Sequence, residues 1–560
     1  MSSKTYTEEE IQDLTDRVFL LKEKIEGGEM HLAPHLADDF MRSWSAVRLR
    51  PDGLVDPNSV DGRIRSATLA IWGMKQREKA KEAVSLAQIQ DTYFSFLFDQ
   101  LGWLYEQMSK AGATPEQVAM GMAQDSKFVK QIVSVIPEIA EQLKEFWQSV
   151  SDAGAYHLQD GRQLKATFAG DLFPSYRENV VSTAGLYIDT IILPCPVMRT
   201  APLLKAMPAQ EFTEMVVEHV LTAMSYRELA IADINPPIAL VLANTNEIER
   251  TCIQHIGKRS EPAMLKHAQY LFGRDFDSIE YFKDFCNSLT TVEQVLREIK
   301  GADKFLFSAG WNRNPHAQLH GLISEYPIVR PDLDSRIAGH HVLNACADRT
   351  LQALATQDNA LLLGGTPLIN TEISWLYYTW LLEYNAAPHS IDERREQSMH
   401  IARALVTESE NNLAWLGNVP PKTVLEVRQH GHAEEIREIL GHGVSELVKV
   451  NPNNYFRTAD QVVENIDKAF REHQQKLLEA KRKKLKLYGI DIGSFVATGT
   501  LAVTAAFTGS PELGAASALL GMTGGVPNFK DIKTKFSEIA VKEKARRASP
   551  TGLLFKHITS

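Results

Sequence analysis

Two apolar runs, "GLYIDTIILP" from Gly185 and "PPIALVLAN" from Pro236, constrain the fold of this chain most. Each is short, rich in β-branched residues and closed by proline or a polar residue, which is the pattern of a fully buried strand. Between them lies the amphipathic helix "PAQEFTEMVVEHVLTAMSYREL". Strand, helix and strand in that order predict a small central α/β element. Upstream, "AYHLQDGRQLKATFAG" adds a turn signal at Asp160-Gly161 between short segments with aromatic or β-branched content.

The rest reads as helix. In "EEEIQDLTDRVFLLKEKI" the residues Ile11, Leu14, Val18, Leu21 and Ile25 fall on one stripe at a spacing of three and four. "ATPEQVAMGMAQ" offers Thr114 as N-cap and Pro115 at the first helical position. Beyond residue 330 the segments "SRIAGHHVLNACADRTLQALATQ" and "NTEISWLYYTWLLEYN" continue the pattern, and Pro420-Pro421 breaks it before "KTVLEVRQHGHAEEIREILGHG". At 560 residues the chain is too long for a single core. The expected class is mostly α: a multidomain helical protein with a small central α/β element and a C-terminal Gly/Ala-rich helical hairpin. The boundaries are an N-terminal helical domain over 1–154, a central α/β domain over 155–330 and a helical domain over 331–457. A long basic helix, an apolar hairpin and a basic tail occupy 458–560.

Charge is unevenly placed. The formal net charge is −10, yet residues 471–560 hold fifteen Lys and Arg against seven Asp and Glu, so the tail is basic and the body acidic. An acidic body repels nucleic acid, whereas the tail fits a lipid or nucleic-acid phosphate surface, or a protein partner. The four cysteines, Cys195, Cys252, Cys286 and Cys346, form no local pair, which fits a reducing cytosol. The opening "MSSKTYTEEEIQDL" has no apolar export signal. The expected location is therefore cytoplasmic, with peripheral contact at the inner membrane through the tail.

That contact would come from Ile492–Phe507 and Leu513–Val526, two uncharged stretches separated by "TGSPE". A sixteen-residue helix would reach about 24 Å, short of the roughly 30 Å hydrocarbon core, so neither half spans a bilayer. Gly489 and Gly493 stand four apart and favour close helix approach, and Phe495 and Phe507 supply bulk. Lys481, Arg482, Lys483, Lys484 and Lys486 flank the hairpin on one side, and Lys530 to Arg547 supply a second basic cluster. Such clusters are attracted to an anionic leaflet. The competing reading is a hairpin buried in the protein, its flanks neutralised by the acidic body.

No GxSxG, HExxH, CxxC or complete GxxxxGK[ST] motif occurs. His316 and His320, at i and i+4, form half of a divalent-metal site, with His340, His341, Cys346 or Asp348 as candidate third ligands. His430, His432 and His442 stand near Glu434, Glu435 and Glu438, residue types suited to proton transfer. Asp189 interrupts a strand and needs a partner, for which Arg177, Glu178 and Arg199 are local candidates. The glycine pair in "LLLGGTPL" lacks the lysine of a phosphate loop.

The last 150 or so residues, through Trp415-Leu416, Leu425–Arg428, Glu435–Arg437 and Ser549–Phe555, resemble a C-terminal module of uncharacterised bacterial proteins. The resemblance implies a bacterial origin and a part in stress response or antiviral defence. The leading expectation is an interaction or effector protein whose basic hairpin meets a membrane surface or partner. The alternatives are a metal-assisted hydrolase or nuclease and a non-catalytic scaffold. Truncation near residue 486 separates the readings: the intact chain is expected to bind anionic liposomes and the truncated chain is not, and equal behaviour of the two would remove the membrane role.

Overall fold

The computed structural model describes residues 6–476, except 31–32, 170–172, 175–178, 244–249, 327, 329, 386–392, 408–420, 432, 445–457, 467, 470 and 474. The chain is mostly helical, with one small parallel sheet. It divides into two compact units, the first comprising the chain up to Thr92 together with Phe146–Gly161, the second Tyr93–Glu145 and the chain from Arg162.

In the first unit the helix Glu8–Glu26 starts at a capping box, in which Thr7 Oγ1 accepts from the Glu10 N–H at 3.2 Å and Glu10 accepts from the Thr7 N–H at 2.8 Å. It buries Ile11, Leu14, Val18 and Leu21, the stripe expected from the spacing. Leu14, Val18 and Leu21 pack with Phe40, Val55, Val60 and Ile64 into a small core.

The second unit is built around four strands: β1 (Lys165–Phe168), β2 (Thr190–Leu193), β3 (Ala239–Val241) and β4 (Thr366–Leu368). Their order is β3-β2-β1-β4 and every pairing is parallel. Ala166 stands opposite Ile191 on one side and Thr366 on the other, so β1 is an inner strand. All four strands are buried throughout, as a parallel sheet covered on both faces requires. The two apolar runs of the sequence became β2 and β3. The residues Ala155–Asp160, by contrast, are the last turns of the helix Ser126–Asp160, and only Lys165–Phe168 of that stretch is strand.

The fourth strand comes from beyond residue 330, within the segment expected to be purely helical, so the sheet draws on both segments. It follows the helix Ala338–Leu362, which ends at Gly364 with φ of +64°, a conformation suited to glycine. A Cβ at Gly365 would stand 2.9 Å from the Lys165 carbonyl oxygen, so the second glycine permits β4 to lie against β1. The glycine pair therefore serves a helix stop and a strand entry. Helix Ala338–Leu362 packs on β1 and β4, and helix Glu393–Thr407 packs on β4. The helix Pro115–Ala123 begins at the expected cap, Thr114, which shares a capping box with Gln117.

A second large core lies among the helices between Ile256 and Leu381. At its heart the His267 ring is fully buried and stacked on Trp380 at 5.3 Å. Its Nδ1 is 2.9 Å from the Tyr384 hydroxyl and its Nε2 is 3.3 Å from that of Tyr377. Lys304 lies over the rings of Tyr270, Trp380 and Tyr384 at 4.6, 5.4 and 5.0 Å and pairs with Glu383 at 2.7 Å. Burial, and then the Lys304 charge, lower the His267 pKa to about 3. Between the ordinary histidine value and that one, the unfolded chain takes up a proton that the folded chain refuses. Stability is therefore full above the ordinary value and falls as pH falls. Lowering the pH from about 7.5 to about 5 is expected to cost roughly 2 kcal/mol through this residue. Urea unfolding of wild type and His267→Gln at the two pH values checks it: the variant should lose less on acidification, and an equal loss would refute the assignment.

Candidate functional site

Open parallel sheets bind ligands at the carboxyl ends of their strands, near the place where the strand order reverses. Here the strand order reverses between β1 and β4, since β2 and β3 follow on one side of β1 and β4 returns to the other. The segment after β1 carries Phe173 and Asn179; β2 leads through Cys195 into the short helix Pro196–Thr200, which carries Arg199. The helix Ala209–Met224 brings His219 to the same edge, its ring centroid 5.8 Å from that of Phe173. After β4, the buried Arg403 donates to the carbonyl oxygens of Ile369 at 3.0 Å and Thr371 at 3.4 Å, and its guanidinium lies 4.5 Å from the Trp375 ring. This clamp sets the path of the chain as it leaves the sheet.

Asn179 is the one non-glycine residue with positive φ among the described residues, at +40°. Asparagine tolerates this region better than other side chains because its amide bonds locally. The Asn179 Oδ1 accepts from the Ser182 N–H at 3.4 Å and from the Tyr226 hydroxyl at 3.5 Å. The peptide after β1 thereby turns into the helix Val180–Ala184.

Among the described residues, the buried polar atoms without a hydrogen-bond partner include Thr167 Oγ1 on β1, Ser182 Oγ on the helix that follows it, and His219 Nδ1. His219 is 6% exposed, and burial, followed by the Arg199 charge, lowers its pKa to about 4. It is therefore a neutral imidazole at neutral pH, with one ring nitrogen open to hydrogen bonding. Buried polar groups are nearly always satisfied, so each unsatisfied one calls for a partner. Sequence reasoning passed over both Asn179 and His219. The signal for His219 was a histidine at i+7 from Phe212 on a helix whose remaining inner face, with Val216 and Ala223, is apolar.

Asp189 lies at the other edge of the sheet. Its carboxylate accepts from the Leu164 N–H at 2.8 Å and pairs with Arg428 and Arg437 on the helices Pro421–Gln429 and Ala433–Gly441. The same arginines donate to the Ile188 and Tyr187 carbonyl oxygens, each at 2.7 Å. Burial pushes the Asp189 pKa up, but the two guanidinium charges and the backbone N–H outweigh it and hold the carboxyl below its ordinary value. Of the expected local partners, Arg177 and Glu178 lie outside the described residues, and Arg199 is placed at the carboxyl edge. The partners that form come from 239 and 248 residues away.

His316 and His320 are both exposed on the helix Pro315–Glu325. Among the described residues no group of three or more His, Cys, Asp or Glu side chains gathers to hold a metal. His340 accepts from the Asp334 N–H at 2.7 Å, and its other nitrogen is 2.5 Å from Asn287 Oδ1. His341 contacts the carbonyl oxygens of Leu322 and Ser335. Cys346 is buried, which pushes its thiol pKa up, and Asp348 pairs with Arg330 and accepts from Asn344. His430 is exposed with Nδ1 2.6 Å from the Glu426 carbonyl oxygen, and Glu434 pairs with Arg437. His432 is outside the described residues. So are the hairpin, its flank Lys481 to Lys486, and Gly489, Gly493, Phe495 and Phe507. No described helix is long and apolar enough to cross a membrane. No protein-family model, no curated protein and no solved structure matches the chain.

The Asp189 cluster is expected to act as a structural crosslink. Asp189→Ala should destabilise the second unit by about 3–5 kcal/mol, because it leaves two buried guanidinium groups without their counter-ion. Urea unfolding checks this, and a loss under about 1 kcal/mol would show that the ion pairs contribute little.

Proposed function

We propose that this chain is a small-molecule-binding protein, the sensing body of an effector, with its site at the carboxyl edge of the sheet between β1 and the helix Ala209–Met224. The observation that carries the reading is that, among the described residues, the buried atoms Thr167 Oγ1, Ser182 Oγ and His219 Nδ1 have no hydrogen-bond partner, on β1 and on the helices that connect β1, β2 and β3. A fold that needed these side chains only for packing would use Val, Ala and an apolar residue at lower cost. The bound ligand would supply the missing hydrogen bonds, and the Asn179 turn and the Arg403 clamp would hold the edge in shape to receive it.

The site makes a prediction that needs no ligand in hand. Removing an unsatisfied buried hydroxyl relieves its desolvation cost, so Thr167→Val and Ser182→Ala should each raise the stability of the ligand-free protein by about 1 kcal/mol. Sites kept for function are characteristically stabilised when their polar groups are removed. Urea unfolding of the two variants measures it, and destabilisation by both would mean that the hydroxyls serve the fold.

A further inference from the structure

A cleft lies beside the amino end of β4, away from the carboxyl edge described above. It is walled by the last turns of the helix Ala338–Leu362, by the start of β4, and by the helices Glu372–Asn385 and Glu393–Thr407. Its empty space is about 240 Å³, part of it open to solvent. Ala360, Leu361, Pro367 and Met399 make much of the wall apolar. Gln357 and Arg395 also line it, and both are already engaged within the fold. The Thr366 hydroxyl is engaged as well, since it donates to the Lys165 carbonyl oxygen at 3.2 Å.

Tyr378 differs from these. It lines the cleft and is fully buried, yet its hydroxyl has no hydrogen-bond partner among the described residues. A phenylalanine would fill the same space without leaving a buried O–H unmet. Burial pushes the phenol pKa up, so at neutral pH the group is an uncharged donor. Such a donor calls for a lone pair. A charged ligand would lose its hydration against apolar walls, which favours an uncharged one. The space is below the roughly 300 Å³ at which pockets for drug-sized molecules begin, so the occupant has only a few heavy atoms. We propose that this cleft binds a small uncharged molecule with a carbonyl group on an apolar skeleton, an amide or a ketone, whose oxygen accepts from the Tyr378 hydroxyl. No covalent bond is made or broken. The proposal does not depend on the site at the carboxyl edge.

The experiment uses the full chain, isotope-labelled at the methionine methyl groups, with N-methylacetamide as the amide probe and butanone as the ketone probe. Met399 stands in the cleft wall, and Met399→Leu identifies its resonance. Met198 and Met224 lie on the helices Pro196–Thr200 and Ala209–Met224, near the other candidate site. The expected result is a saturable shift of the Met399 methyl signal with Met198 and Met224 unmoved, and the tighter of the two probes tells amide from ketone. Tyr378→Phe should weaken that binding by about three- to tenfold, the loss of one hydrogen bond. Without ligand, the same variant should melt at or above the wild-type temperature, because no hydrogen bond of the fold is lost. Failure of both probes to move Met399 overturns the proposal, since the hydroxyl is then met by solvent water alone. Unchanged affinity in Tyr378→Phe overturns it too, as does a lower melting temperature of that variant, which would show that the fold itself uses the hydroxyl. Shifts at Met198 and Met224 without one at Met399 overturn this cleft and leave the site at the carboxyl edge standing.

Discussion

The rest of the second unit depends on the double pairing of β1. This strand has four residues, and both of its edges are taken, by β2 close in sequence and by β4 far from it. Thr366 Oγ1 donates to the Lys165 carbonyl oxygen at 3.2 Å across 201 residues. Closing so long a connection costs little more than closing a short one, since the entropy grows only with the logarithm of length, about 0.6 kcal/mol per doubling. What has to be supplied is burial, and the helices Ala338–Leu362 and Glu393–Thr407 supply it by covering β4. Without β4, the inner strand would become an edge with unpaired backbone groups in an apolar setting.

Two kinds of buried polar group follow from that frame. Gln318 is fully buried and satisfied: its Oε1 accepts from the Phe307 and Ser308 N–H groups at 2.7 and 3.1 Å. Its Nε2 donates to the carbonyl oxygens of Ser308, Trp311 and Asn312. Asp189 and His267 are likewise met on every side that the fold presents to them. These groups hold loops and helices in register. Thr167, Ser182 and His219 differ because each carries a buried atom that the fold leaves unmet. The first kind organises the structure, and the proposed function rests on the second. Asp189 and His219 also sit at different ends of the sheet: Asp189 precedes β2 at the amino end, and His219 lies near Phe173, beyond the carboxyl end of β1.

Much of the architecture was legible in the residues because its causes are local. The three-and-four spacing of Ile11, Leu14, Val18 and Leu21, the Thr114-Pro115 helix start, and the apolar runs of β2 and β3 all act within a few turns of chain. The fourth strand was not legible. "TPL" is three residues long, contains a proline and has no alternation, so nothing in it separates a strand from a loop; its identity comes from the neighbour it pairs with. The candidate site was equally obscure. Asn179 is an ordinary turn residue until its φ is known, and His219 is a single polar residue on an apolar helix.

The residues alone determined many of the helices, which two runs would be buried strands, that Asp189 would need a partner, and that charge would be divided between an acidic body and a basic tail. Each of these follows from side-chain hydrophobicity, spacing and charge along a short stretch. Only the tertiary structure decided that β4 would close the sheet beside β1, that Arg428 and Arg437 would answer Asp189, and that Phe173, Arg199 and His219 would share one edge. Those outcomes are meetings between residues separated in sequence, and a meeting is set by how helices and strands fill space together, a property that no single stretch of chain contains.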